Sequence, residues 1–213
     1  MRRTGLALGT LVLATIPLIS IAAQPAIQSA ASKAPPPRRE PTTLVEKLRF
    51  NFTEGFKNPF TAMSVGWRNR TGCVDGADGG GNGIGLLFDP SPAPGSTPPY
   101  VADGILEPTA PEVMFYEPSG NGNFRLVGVE YIEYADHWAK MVKQDRTLTA
   151  IPRVDGHPMH YVGTPNSFGF PAHYELHVWA FVDNPNGTFA DWNPLVNCNR
   201  ARVDDLPNSD VLP

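Results

Sequence analysis

The stretch HYELHVW, residues 173–179, holds the densest set of chemically competent side chains in this chain. Read as a strand, its alternation places His173, Glu175 and His177 on one side. Imidazole is the commonest metal ligand in proteins, and carboxylate is its usual companion. The same groups serve proton transfer. His157 and His160 precede the stretch closely, so four of the 5 histidines fall between positions 157 and 177. Glu130 offers another carboxylate among Leu126, Gly128, Ile132 and Tyr134. A carboxylate in such a setting is either a perturbed functional group or the partner of an arginine such as Arg125 or Arg153. Trp179 and Phe181 continue the histidine face as the apolar end of a pocket wall.

Geometry limits how these ligands combine. Residues two apart on a strand are separated by about 6.6 Å, so His173 and His177 sit about 13 Å apart. A zinc ion wants its nitrogens at about 2.1 Å. His173 with Glu175, or Glu175 with His177, can share an ion. Further ligands would come from His160, His157 or Glu130. In an oxidising compartment zinc or copper is the default ion. The competing reading is a hydrated strand face on which Glu175 makes ordinary hydrogen bonds to the imidazoles.

Other motifs carry less. CVDGADGGGNGIG contains Asp75, Asp78 and Asn82, oxygen ligands that calcium favours, but its spacing is not that of an EF-hand and it lacks a closing Glu. No lysine follows the glycines, which excludes a phosphate loop. No nucleophile-elbow motif occurs.

The elements that must position these groups are short. Thr42-Thr43 before LVEKLRF predicts a capped amphipathic helix with Leu44, Val45 and Leu48 on one stripe. Pro59 opens a second helix running to about Trp67. The glycine-rich stretch reads as a loop leading into the strand IGLLF. PEVMFYEP and NFRLVGVEYIEY, joined by SGNG, predict a β-hairpin. In its second strand Arg125, Val127, Val129, Tyr131 and Glu133 share one face, and Phe124 to Tyr134 alternate on the other. DHWAKMVK predicts a short helix with Asp136 as its cap. Residues 145–172 read as a long loop, a length that is often functional. After it, Tyr174, Leu176, Val178, Ala180 and Val182 form the apolar face of the HYELHVW strand. The sum is an α+β fold of about four mainly antiparallel strands with short helices and long loops; a small β-sandwich or barrel is the alternative.

The ends speak to location. Arg2-Arg3, an uncharged run from Leu6 to Ile21, and small residues at Ala22-Ala23 form the pattern of a signal peptide over 1–23. An uncleaved anchor is the competing reading. Residues 24–41 are rich in Ala and Pro and read as a disordered linker. Residues 42–198 then form a single globular domain, and 199–213 a loose tail. The expected location is secreted or periplasmic, with no membrane association after signal cleavage. The net charge of −4 has no basic patch behind it, which argues against nucleic acid. In an exported chain the 2 cysteines, Cys73 and Cys198, read first as a disulfide. Asn51, Asn69 and Asn186 begin glycosylation sequons that matter only in a eukaryotic source.

Three segments resemble a family of small exported bacterial proteins: a Cys followed by a glycine-rich loop, PEVMFYEP with a later VEY strand, and the closing HYELHVWAFVDNPNGTFADWNPLVNC. The likeness covers roughly residues 70–198. It implies an exported, compact, one-domain chain and no particular reaction. One departure is notable. Members of that family often carry a His in the strand after the glycine loop, where this chain reads GIGLLF.

The sequence therefore points to an exported soluble protein with a His/Glu/aromatic pocket for a divalent transition metal or a small ligand. The alternative is a non-catalytic, disulfide-stabilised surface or interaction protein without a metal.

Overall fold

Six strands hydrogen-bond into one antiparallel sheet in the order β1-β2-β3-β4-β8-β7. The computed structural model describes residues 41–52, 55–76, 80–89, 103–166, 169–201 and 206. The leader, nearly all of the linker, Asp78 and the proline-rich connection at 90–100 lie outside the described residues. The strands are β1 (Trp67–Asp75), β2 (Gly81–Phe88), β3 (Val113–Gly120), β4 (Asn123–Tyr134), β7 (His160–Val162) and β8 (His173–Val178). A separate pair, β5 (Arg153–Val154) and β6 (His157–Pro158), forms a small hairpin. Three short helices complete the set: α1 (Leu44–Phe52), α2 (Pro59–Ser64) and α3 (Ala135–Gln144). The fold is mostly antiparallel sheet with few short helices. It has more strands than the sequence suggested. Among the described strands β1 and β7 are edges, so the sheet is open rather than closed into a barrel.

Local chemistry explains most elements. At α1, Thr43 Oγ1 accepts from the Glu46 amide at 3.2 Å while Glu46 Oε2 accepts from the Thr43 amide at 3.1 Å. This reciprocal cap satisfies two amides that the first helical turn leaves open. Leu44 and Leu48 are buried from that helix. The β3–β4 hairpin turns on Asn121 and Gly122, both at positive φ, as a two-residue turn of this twist requires. The β5–β6 hairpin repeats the device at Asp155-Gly156, so the segment read as one long loop contains three short strands.

The glycine-rich stretch is also more regular than it reads. β1 runs on to Asp75 and β2 begins at Gly81. Several glycines there serve close approach rather than looping. A Cβ at Gly83 would lie 2.5 Å from the Tyr116 carbonyl oxygen, and one at Gly81 would lie 2.8 Å from that of Val74.

Both faces of the sheet are covered. Leu44, Leu48, Leu86, Tyr116, Tyr131, Leu176 and Val178 belong to one core layer. Val113, Phe115, Val127, Ile132, Trp179 and Val196 belong to the other. Two phase changes correct the face assignments read from sequence. In β4, Phe115 pairs with Gly128 and Tyr116 with Leu126, leaving Val127 as an extra residue. This bulge puts Leu126, Val129 and Tyr131 in the first layer and Val127, Ile132 and Tyr134 in the second. After β8, the Ala180 amide turns back onto the Val178 carbonyl at 2.9 Å. Alternation stops there, so Phe181 packs on the first layer and Val182 on the second.

Cys73 and Cys198 are disulfide-bonded, with Cα atoms 5.8 Å apart and a sequence separation of 125. Closing so long a loop is worth about 4–5 kcal/mol on the chain-entropy account. Asp75 Oδ1 accepts from the Cys198 amide at 2.8 Å, so this former calcium candidate clamps the closing segment. Three further expectations change. Asp136 lies inside α3, whose N-cap is Tyr134. Leu206, in the segment expected to be loose, is itself buried in the first layer. Asn69 is buried and bonded to the Leu206 carbonyl, which removes it as a glycosylation acceptor.

Candidate metal centre

Strand pairing assembles the polar cluster. β8 lies between β4 and β7. His177 stands opposite Glu130 on β4, and Glu175 stands opposite His160 on β7. Directly opposed residues share a face, so each register brings one more ligating side chain to the face that already holds the β8 trio. The face is not hydrated. His173 is 0% exposed, His177 3%, and Glu130 and Glu175 7% each.

Glu175 is the hub. Its Oε1 lies 2.9 Å from His160 Nε2, and its Oε2 lies 3.1 Å from His173 Nε2. His177 Nδ1 sits 3.9 Å from Oε1, beyond hydrogen-bond range. On the other side of that ring, Nε2 is 3.7 Å from Glu130 Oε1. Asp191, from the loop after β8, brings Oδ1 to 3.6 Å from His160 Nδ1. Phe115 stacks on the His177 ring at a centroid distance of 5.2 Å, and Trp179 lies parallel at 6.4 Å.

The two buried glutamates respond in opposite directions. Burial, and then the charge and hydrogen bond of Glu175, raise the Glu130 pKa well above the usual carboxylate range. Burial also pushes on Glu175, but hydrogen bonds from His160 and His173 and the neighbouring imidazoles outweigh it and lower its pKa. These shifts favour the proton on Glu130, where it can be donated in the hydrogen bond to Glu175. Burial lowers the His177 pKa and keeps that ring neutral. The hydrogen bond to Glu175 raises the His160 pKa.

A neutral imidazole has one N–H and one lone pair, and the surroundings of His177 decide which is where. The Asn82 amide satisfies its neighbours only with its NH₂ turned to the carbonyls of Gly81 and Asp191, at 3.3 and 2.8 Å. Its oxygen then lies 3.4 Å from His177 Nε2 and accepts the proton carried there. The lone pair falls on Nδ1, a buried atom without a hydrogen-bond partner. An imidazole whose N–H is held by a carbonyl and whose other nitrogen faces a carboxylate has the arrangement of a metal ligand.

Two donor sets exist among the described residues. Glu130, Glu175 and His177 form a buried one, and His160, Glu175 and Asp191 a second that reaches the surface. In each, one ligand atom per residue lies within 4.8 Å of the others. His173 belongs to neither. Its Nδ1 faces the Pro171 carbonyl at 2.7 Å and its Nε2 faces Glu175, so both ring nitrogens are engaged and only Nε2 holds the carboxylate. His157 lies on β6 and packs against the Phe189 ring at 4.3 Å, apart from both sets. A small cavity of about 10 Å³ adjoins the cluster, lined in part by Arg70, Asn82, Phe115, Glu130, Phe170 and His173. It has room for about one water. Of the two aromatic residues assigned to a pocket wall, Trp179 lies along the histidine face and Phe181 belongs to the opposite layer.

Sequence reasoning missed Asp191 as a ligand and saw Asn82 only as a calcium candidate. Asp191 sits in a loop with no periodicity, and Asn82 reaches the cluster from β2 across the sheet. Comparison with protein-family models, with curated proteins and with solved structures gives no match, so the reading of this cluster rests on its own geometry.

Proposed function

We propose that this protein is an exported metal-binding protein that holds a divalent transition metal on Glu130, Glu175 and His177. The observation that carries the reading is the orphaned lone pair on His177 Nδ1. A buried nitrogen acceptor without a donor costs about 1–3 kcal/mol. A cation at that atom removes the cost. The same cation would replace the hydrogen bond that joins Glu130 to Glu175, with its proton released to solvent, and turn both carboxylates into ligands. One imidazole and two carboxylates suit zinc or copper. The adjoining cavity has room for about one water beside Glu130. The Cys73–Cys198 disulfide agrees with an oxidising compartment. No helix among the described residues is long and apolar enough to cross a membrane.

When bound, the ion would supply Lewis acidity and an activated water. Glu175 would bind it, with His173 fixing the carboxylate's orientation. Asn82 would hold the His177 tautomer. Phe115 and Trp179 would keep bulk water from the ring.

Zinc titration of the full chain, purified without chelator, tests the reading by calorimetry and by thermal melting. Bound zinc at 100 times its Kd raises stability by about 2.7 kcal/mol. The expected result is zinc bound in stoichiometric amount, a higher melting temperature, and loss of both in His177→Gln. Protein that takes up no zinc or copper and gains no stability from either ion sinks the proposal.

A further inference from the structure

Glu175 belongs to both donor sets, and the two sets share nothing else. We infer that the cluster holds two cations bridged by the Glu175 carboxylate: one on Glu130 and His177, the other on His160 and Asp191. This rests on the functional reading above and extends it to a second ion.

Three observations carry it. The first is the match of donors. Each set contains one imidazole and two carboxylates, with all ligand atoms within 4.8 Å of one another. An ion with bonds of about 2.1 Å holds tetrahedral donors about 3.4 Å apart, and at most about 4.2 Å apart across the ion. Both sets need only small side-chain movements to close on an ion. His160 and His177 fall in no common set, so the two imidazoles belong to different ions.

The second is the aim of the imidazoles at one carboxylate. Glu175 Oε1 is approached by His160 Nε2 at 2.9 Å and by His177 Nδ1 at 3.9 Å. The His177 nitrogen is buried and has no hydrogen-bond partner, so its lone pair is open to a cation on the inner side of Glu175. His160 marks the outer side. A carboxylate placed between two nitrogen donors is the bridge that paired metal sites use, with ions about 3.5–4 Å apart.

The third is charge. As ligands Glu130, Glu175 and Asp191 are three carboxylates, which together bring three negative charges. Two divalent cations and one hydroxide balance them. The cavity beside Glu130 has room for a ligand of that size.

The sites differ in access. The His160 and Asp191 side chains are 43% and 51% exposed, whereas Glu130 and His177 are buried. The outer ion should therefore exchange first. The substitutions that remove it, His160→Gln with Asp191→Asn, lie at exposed positions, and the Gln amide can still donate to Glu175.

Zinc titration with elemental analysis of the full chain reads the count directly. Two zinc ions per wild-type chain and one in the His160→Gln/Asp191→Asn variant are expected. Saturation of the wild type at one ion, or two ions retained by the variant, overturns the second site and leaves the first standing. No ion in the wild type overturns the functional reading and this inference together. Electron paramagnetic resonance of copper-loaded protein tests the bridge. Dipolar coupling between two coppers is expected in the wild type and an isolated copper signal in the double variant. Two uncoupled coppers in the wild type overturn the shared carboxylate.

Discussion

Two Glu–His arrangements lie on this sheet, and one of them leaves a buried ring nitrogen without a hydrogen-bond partner. At the end of β4, Glu133 Oε1 accepts from His137 Nδ1 at 2.8 Å, and Oε2 accepts from the Gly104 amide at 3.0 Å. Each carboxylate oxygen has a donor. The pair spans one helical turn and fastens α3 to the strand before it. At Glu175 the same residue types are stacked differently. Several imidazoles and a second carboxyl group converge on one carboxylate, a hydrogen bond joins two glutamates, and a ring nitrogen is left over. Buried polar groups that serve structure alone end with their donors and acceptors matched. The mismatch at Glu175, more than the presence of histidine and glutamate, distinguishes it.

The largest test of that contrast is Glu175→Ala. It leaves His173, which is wholly buried, without its carboxylate. Breaking a buried pair from one side costs about 3–5 kcal/mol. Chemical denaturation should show that loss, and zinc should no longer raise the midpoint. A milder change probes the ground between the two regions. Glu112 is buried, accepts from the Ile132 amide at 2.9 Å, and lies within the field of both Glu130 and Glu133. Burial raises its pKa well above the usual range. The folded chain thus keeps a proton that the unfolded chain releases above about pH 4.3. Its contribution to stability is complete below that pH and is lost as pH rises toward the folded value. Glu112→Gln keeps the acceptor and removes the titration. Across pH 4–7 the variant should gain on the wild type, by up to about 1.4 kcal/mol per pH unit. Parallel stability profiles would show that Glu112 does not carry the slope. The smallest effect belongs to the matched pair. His137→Gln should cost under about 1 kcal/mol, because the ring is partly solvated, and it should leave zinc uptake unchanged. A loss of zinc there would erase the distinction between the regions.

The trio was legible because a strand's period is fixed at two and β8 keeps it from His173 to Val178. The meeting of His160 with Glu175 was only a question in the sequence. β7 is a three-residue strand, too short for a pattern, and its register emerges only from pairing. Glu130 was named for its apolar neighbours, and its partner His177 follows from cross-strand register. His157 looked equivalent to His160 because both lie in the same segment. The Asp155-Gly156 turn sends it into a separate hairpin instead. The helices α1 and α2, with their cap and proline signals, were readable at the level of existence; α2 stops at Ser64, short of Trp67. Neither the bulge nor the turn after Val178 has a residue signature strong enough to announce it, and each inverts the faces beyond it.

The bulge at Val127 has a wider meaning for recognising this arrangement in other chains. It acts as a one-residue clock setting for the second half of β4. Without it, Glu130, Ile132 and Tyr134 would turn toward the α1 side, and Val129 and Tyr131 would face the histidines. Every ligand could then be present in a sequence while the cluster was absent from the fold. The spacing between the Asn121-Gly122 turn and Glu130 is therefore as diagnostic as the histidines themselves.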